Sequence, residues 1–210
     1  MNERLQLNED TLWAGGPYDP VNPDALAALP EVRSLLFDGK YAEGAKLITD
    51  KVMAKPLAQM PYETIGNLQL TFPATSSVEN YRRDLDLDTA IARVQDTSGG
   101  VRYTREVFSS PVDHAIVVRL TSVPPGISFK LEMNTPQKAT VTAESPDTLV
   151  MTGVNGDSSG IKGALTFETR IRVLAQGGHT TADAQTVSVD GADSATLLIA
   201  AATSYKSYKD

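Results

Sequence analysis

The chain has no cysteine, which excludes disulfides, thiolate metal ligands and thiol nucleophiles. It has only two histidines, His114 and His179, far apart in sequence, so a structural zinc site is not expected and no cofactor is assigned. No apolar run approaches the ~20 residues a helix needs to cross a bilayer, and the first residues lack the charged-then-apolar layout of a signal peptide. Positive charge is also scarce. The 19 Lys and Arg against 26 Asp and Glu leave a net charge of -7, which repels phosphate backbones and anionic membranes. Neither nucleic acid nor a membrane is therefore an expected partner. Aromatic residues make up 6% of the chain and tryptophan occurs once, as Trp13, which singles out its surroundings.

What is present reads as one domain over residues 1–210, with no linker, repeat or low-complexity tract. Leu5 and Leu7 alternate with Gln6 and Asn8 as in a half-buried strand, and Gly15, Gly16 and Pro17 then break regular structure, so a strand empties into a loop. Asn22 followed by Pro23 offers a helix cap and a first-turn proline. Over residues 22–54 the apolar spacing changes to three or four. Ala25, Leu26, Leu29, Val32, Leu35 and Leu36 predict a helix that Pro30 splits or kinks and Gly39 ends, and Ala42, Ala45, Ile48 and Val52 predict a second. This helical insertion is expected to pack on a sheet edge as a lid without chemistry.

From Pro61 onward the pattern is β. Strands are predicted at 68–72, 91–97, 101–108, 115–120, 127–133, 139–143, 148–153, 165–174, 186–189 and 196–202. Ser98-Gly99-Gly100 marks a hairpin turn, and the apolar stretch 115–120 predicts a strand covered on both faces. Many short strands punctuated by turn residues predict a mainly β fold, a two-sheet antiparallel β-sandwich with the helical insertion near its N-terminus.

Candidate chemistry is thin. Asp84, Asp86 and Asp88 would stand ~7 Å apart on one strand face, inside the spacing of an inverting glycosidase pair. Leu85 and Leu87 fill the alternate positions, however. The leucines are expected in the core and the aspartates in solvent, balanced by Arg82 and Arg83. An EF-hand would need a glycine and a closing glutamate that this run lacks. Residues 155–160, NGDSSG, lack the lysine and following helix of a phosphate cradle and read as a flexible hairpin end. There is no G-x-S-x-G, and nothing local joins either histidine to a serine.

The functional expectation therefore falls on the opening loop. Asn8, Glu9, Trp13 and Tyr18 combine amide, carboxylate and ring faces, the groups that recognise sugars by hydroxyl hydrogen bonds and stacking. Three roles stay open for Trp13: a sugar platform, an anchor docking against another domain, or a plug in the end of its own core.

The run LQLNEDTLWAGGPYDPVNPDAL, then LPEVRSLLFDGKYAEGAKL, MPYETIGNLQL, YRRDLDLDTA, YTREVFSS and AAATSYKSYKD resembles the N-terminal β-domain of glycoside hydrolase family 95, the α-L-fucosidases. The resemblance spans nearly all of the chain and implies a supersandwich-like fold, truncated at both ends. It further implies that a glutamic acid donor and an asparagine-assisted aspartate lie on a downstream (α/α)6 barrel, with no counterpart here. The partners it implies are that barrel and a fucosylated oligosaccharide, and it suggests a secreted or periplasmic protein, with the cytoplasm left open. Two other readings remain: a free-standing carbohydrate-binding module, and a structural domain that associates through sheet edges.

Overall fold

A computed structural model describes residues 2–74 and 77–207. Two antiparallel sheets face each other. The smaller is built from β1 (Asn2–Leu7), β2 (Gly66–Thr71), β7 (Ile127–Asn134), β12 (Thr186–Ala192) and β11 (His179–Ala182), adjacent in that order. The larger runs β3 (Val78–Asp86), β4 (Ile91–Ser98), β5 (Val101–Ser110), β6 (Ala115–Val123), β13 (Ser194–Thr203), β10 (Thr166–Gln176), β9 (Thr148–Val154) and β8 (Lys138–Ser145). The expected mainly β sandwich is what the chain forms.

Alternation explains the packing. In β2 Leu68 and Leu70 point inward, as do Phe129 and Leu131 in β7 and Val187 and Val189 in β12. They meet Val118 and Leu120 of β6, Ile171 and Val173 of β10, and Leu197 and Ile199 of β13 in one continuous core. The hairpin at Ser98-Gly99-Gly100 forms as expected, with Ser98 opposite Val101 and both glycines at positive φ.

Three strand expectations need correction. β6 is buried on one face only, because the outer face of the larger sheet carries no second layer over Arg119 and Val123. β11 was not foreseen, since HTTA has one small apolar side chain and gains its order by pairing with β12. Leu85 lines the inner side together with Leu5, Leu70, Val94 and Val107, in a trough of about 400 Å³ between β1 and β3. Yet it is 60% exposed, because the smaller sheet ends at β1 and leaves the β3 margin uncovered, and Leu87 is 83% exposed because β3 ends at Asp86 and Leu87 falls in the turn that follows. Of the neighbouring charges, Arg82 pairs with Asp84 at 3.2 Å, whereas Arg83 reaches Glu3 of β1 at 2.8 Å.

The insertion consists of α1 (Ala25–Phe37) and α2 (Tyr41–Lys51). α1 starts two residues after the expected proline position, with Asp24 as its cap residue. Asn22 is instead buried, its Oδ1 accepting from the Asp24 N–H and its Nδ2 donating to the Met53 carbonyl, so it staples the two ends of the insertion together. Pro30 lies inside α1 and does not split it. Gly39 closes the helix at φ +75°, with its N–H on Leu36 O and the Lys40 N–H on Leu35 O, the paired bonds of a Schellman turn. Gly39→Ala is expected to cost about 1 kcal/mol from the left-handed backbone alone, since nothing crowds the added methyl. A denaturant melt reads it. The helices pack chiefly on each other, through Gly44 against Leu36, and not on a sheet edge as expected.

Carboxylates fix several turns. Asp86 accepts from the Asp88 and Thr89 N–H groups, Asp147 from the Ser145 and Thr148 hydroxyls, and Asp183 from the Gln185 and Thr186 N–H groups. These bonds hold the Asp86 and Asp147 carboxyls below their ordinary value of 3.8. A group depressed in the folded state adds stability above its unfolded value and loses it as pH falls through the folded one. Thermal stability should therefore decline as pH drops below about 4. Asp147→Asn should shallow that decline in melts recorded between pH 6 and 3.

Candidate functional site

β1 delivers the chain into the loop at the end of the sandwich, and hydrogen bonds then fix the loop residue by residue. The Glu9 carboxylate accepts from both the N–H and the hydroxyl of Thr11, at 2.7 and 2.6 Å. The Thr11 hydroxyl also bonds that of Thr203 on β13, tying the loop to the larger sheet. Leu12 is fully buried and Ala14 nearly so. They plug the end of the core, which removes that role from Trp13 and leaves its ring 40% exposed between them.

Trp13 is held on several sides. Its Nε1 donates to the Asp10 carbonyl at 3.0 Å, and its ring stands edge-on to Tyr62 with centroids 5.3 Å apart. The Tyr62 hydroxyl donates to Glu9 O, while Ala14 N–H bonds Pro61 O and Glu63 N–H bonds Leu12 O. The segment 61–63 therefore pairs with the loop like a short strand.

A second brace comes from the segment read as a flexible hairpin end. Asn155 is 1% exposed, and its Nδ2 donates to the carbonyls of both Trp13 and Gly15, at 2.6 Å each. Its Oδ1 accepts from Leu165 N–H at 2.9 Å. Gly156 N–H donates to Glu63 Oε2, Gly156 O accepts from Gly15 N–H, and Ala164 N–H donates to Gly15 O. Asp157 accepts from the Gly163 N–H, which holds its carboxyl below the ordinary range. Residues 155–163 are thus an ordered clamp, a correction whose cause is pairing across some 140 residues of sequence. A buried amide aimed at two carbonyls has no local sequence signature. The one signal was Asn155 itself, a polar residue directly after the apolar run of β9.

The loop walls a cleft of about 630 Å³ lined by Trp13, Pro17, Tyr18, Gln59, Met60, Ala164, Tyr205 and Lys206 among others. Trp13, Tyr18 and Tyr205 present rings between 38% and 45% exposed. Of the four residues singled out from sequence, Trp13 and Tyr18 come together here. Asn8 lies exposed beyond β1 and Glu9 is engaged in the loop's own turn, so neither lines the cleft. Tyr62, Glu63, Asn155 and Tyr205 were missed. The described lining residues include no carboxylate, and glycoside hydrolysis generally needs two. Among the described residues no cluster of three histidine or acidic side chains forms a metal site, and Asp84, Asp86 and Asp88 do not converge.

The site is thus a ring-lined cleft at one end of a two-sheet antiparallel sandwich. Residues 1–208 match the family described as glycosyl hydrolase family 65, N-terminal domain, and the chain belongs to it. Its relatives include alpha-L-fucosidase 2 of Arabidopsis thaliana, 36% identical over 63% of this chain and 16% of that protein. "Probable alpha-fucosidase A" of Aspergillus niger is 29% identical over 97% of this chain and 26% of that protein. The chain thus spans about a quarter or less of the length of these relatives. The expectation of an N-terminal glycoside hydrolase domain with fucosidase relatives stands, under a family numbered 65.

Proposed function

We propose that this domain is the non-catalytic wall of a substrate cleft in an α-L-fucoside hydrolase of the family 95 type. The acid and base sit on a downstream (α/α)6 catalytic domain, and a fucosylated glycan is the ligand. The observation that carries the reading is the cleft, in which half-exposed rings gather around a Trp13 loop fixed by a buried asparagine and the described lining residues include no carboxylate. Rings of this kind stack on the apolar C–H faces of a sugar. The names of the relatives support fucose as the sugar.

The expected result is no turnover of a synthetic α-fucoside by residues 1–210 at any enzyme concentration that gives clear signal for a longer protein carrying the catalytic region. Turnover by the 210-residue chain would end the proposal. In the longer protein Trp13→Ala should lower kcat/KM by about fivefold, the loss of one aromatic contact of about 1 kcal/mol. Calorimetric titration of the 210-residue chain with fucosylated oligosaccharides separates this reading from a free-standing binding module. Tight binding abolished by Trp13→Ala would favour the module.

A further inference from the structure

The α1–α2 hairpin leaves several large apolar side chains exposed. α1 is rich in leucine and alanine, yet Val32 is its one buried residue, and in α2 only Gly44 is buried. Phe37 is 90% exposed and Tyr41 68%, both beside the Gly39 turn at the hairpin tip, and Leu26 is 81% exposed further along. A helix normally buries an apolar stripe against a sheet or another helix, and these two bury little beyond their mutual contact. The hairpin's root adjoins the cleft loop: Lys55 N–H bonds Pro20 O, and Asn22 Nδ2 bonds Met53 O. The hairpin therefore springs from the wall carrying Trp13 and Tyr18, next to Val21, which is 70% exposed.

We infer that the hairpin tip is a docking surface for the catalytic region of its own protein, gripping that region from beside the cleft. Two observations choose this occupant. The matched relatives are four to six times longer than the part this chain covers, so most of such a protein lies outside the domain. The hairpin is also rooted in the loop that walls the cleft. The inference rests on the proposed two-domain reading, but its readout is mechanical and does not need fucoside turnover.

The test is the pair Phe37→Ser and Tyr41→Ser. In the 210-residue chain it should leave the thermal transition unchanged, since both side chains are already in solvent. In the longer protein it should split one cooperative transition in calorimetry into two, with the N-terminal one at the temperature of the isolated domain. A single unshifted transition in the longer protein overturns the inference. So does a concentration-dependent dimer of the 210-residue chain, seen by light scattering and abolished by the pair, which would make a second copy the occupant. If turnover of α-fucoside is absent but the transitions split, the substrate reading fails and the docking surface stands.

Discussion

Asn155→Ala is expected to destabilise the domain by about 2–4 kcal/mol and to release the Trp13 loop. The substitution removes the donor to the Trp13 carbonyl and the acceptor for the Leu165 N–H, both made by a side chain whose residue is 1% exposed. Each orphaned buried group costs about 1–3 kcal/mol. The Gly15 carbonyl suffers less, because Ala164 N–H still reaches it at 3.2 Å. Since Trp13 is the sole tryptophan, its emission reports on this loop alone. It should shift to the red and become more open to collisional quenching below the melting transition. Asn155→Asp keeps the shape but points an acidic oxygen at two carbonyls 2.6 Å away. That arrangement favours the protonated form, so the folded pKa of the introduced acid rises above its unfolded value. A group raised in this way imposes its full penalty above the folded pKa, and the penalty shrinks as pH falls towards the unfolded value near 4. If Asn155→Asp loses stability equally at pH 5 and pH 8, the clamp does not work as described.

The same residue shows where sequence reading stops. The sandwich was legible because β2, β7, β10 and β12 alternate, and period-two alternation follows directly from strand geometry. Trp13 and Tyr18 were legible as a pair because large rings in a glycine- and proline-broken loop must rest on something. What rests against them was not. Tyr62 and Asn155 reach the loop from 49 and 142 positions away, and only strand pairing brings them there. Leu85 marks another limit, since alternation gives the face of a sheet and says nothing about whether an opposing sheet extends far enough to cover it, while Leu87 continues the alternation past the point where the strand turns. For the helices, spacing revealed the apolar stripe but not its partner, so the expected packing on a sheet edge went astray.

Arg105→Met should cost about 3–5 kcal/mol, the range seen when one member of a buried ion pair is removed. Arg105 of β5 and Asp96 of β4 have side chains 3% and 0% exposed and form a direct salt bridge. The Arg105 guanidinium also lies 3.3 Å from Glu3 of β1 and 5.5 Å from the centre of the Phe72 ring, so one side chain joins the two sheets. Deleting it leaves the Asp96 carboxylate without its counter-charge in a place where its Oδ2 already accepts no hydrogen bond. Glu3 is less affected, because Arg83 holds its other oxygen at 2.8 Å. Replacing both charges tests whether the penalty is electrostatic. Arg105→Met combined with Asp96→Leu removes the stranded charge and fills the space with apolar atoms, an exchange that is often neutral. The double variant should melt well above Arg105→Met alone, giving a coupling energy of a few kcal/mol in a double-mutant cycle. Additive losses would instead mean that Arg105 stabilises the sandwich through packing on Phe72, with Asp96 incidental. Glu3 lies on the strand that feeds the Trp13 loop, so Arg105→Met should also perturb Trp13 emission in the native state, more weakly than Asn155→Ala does.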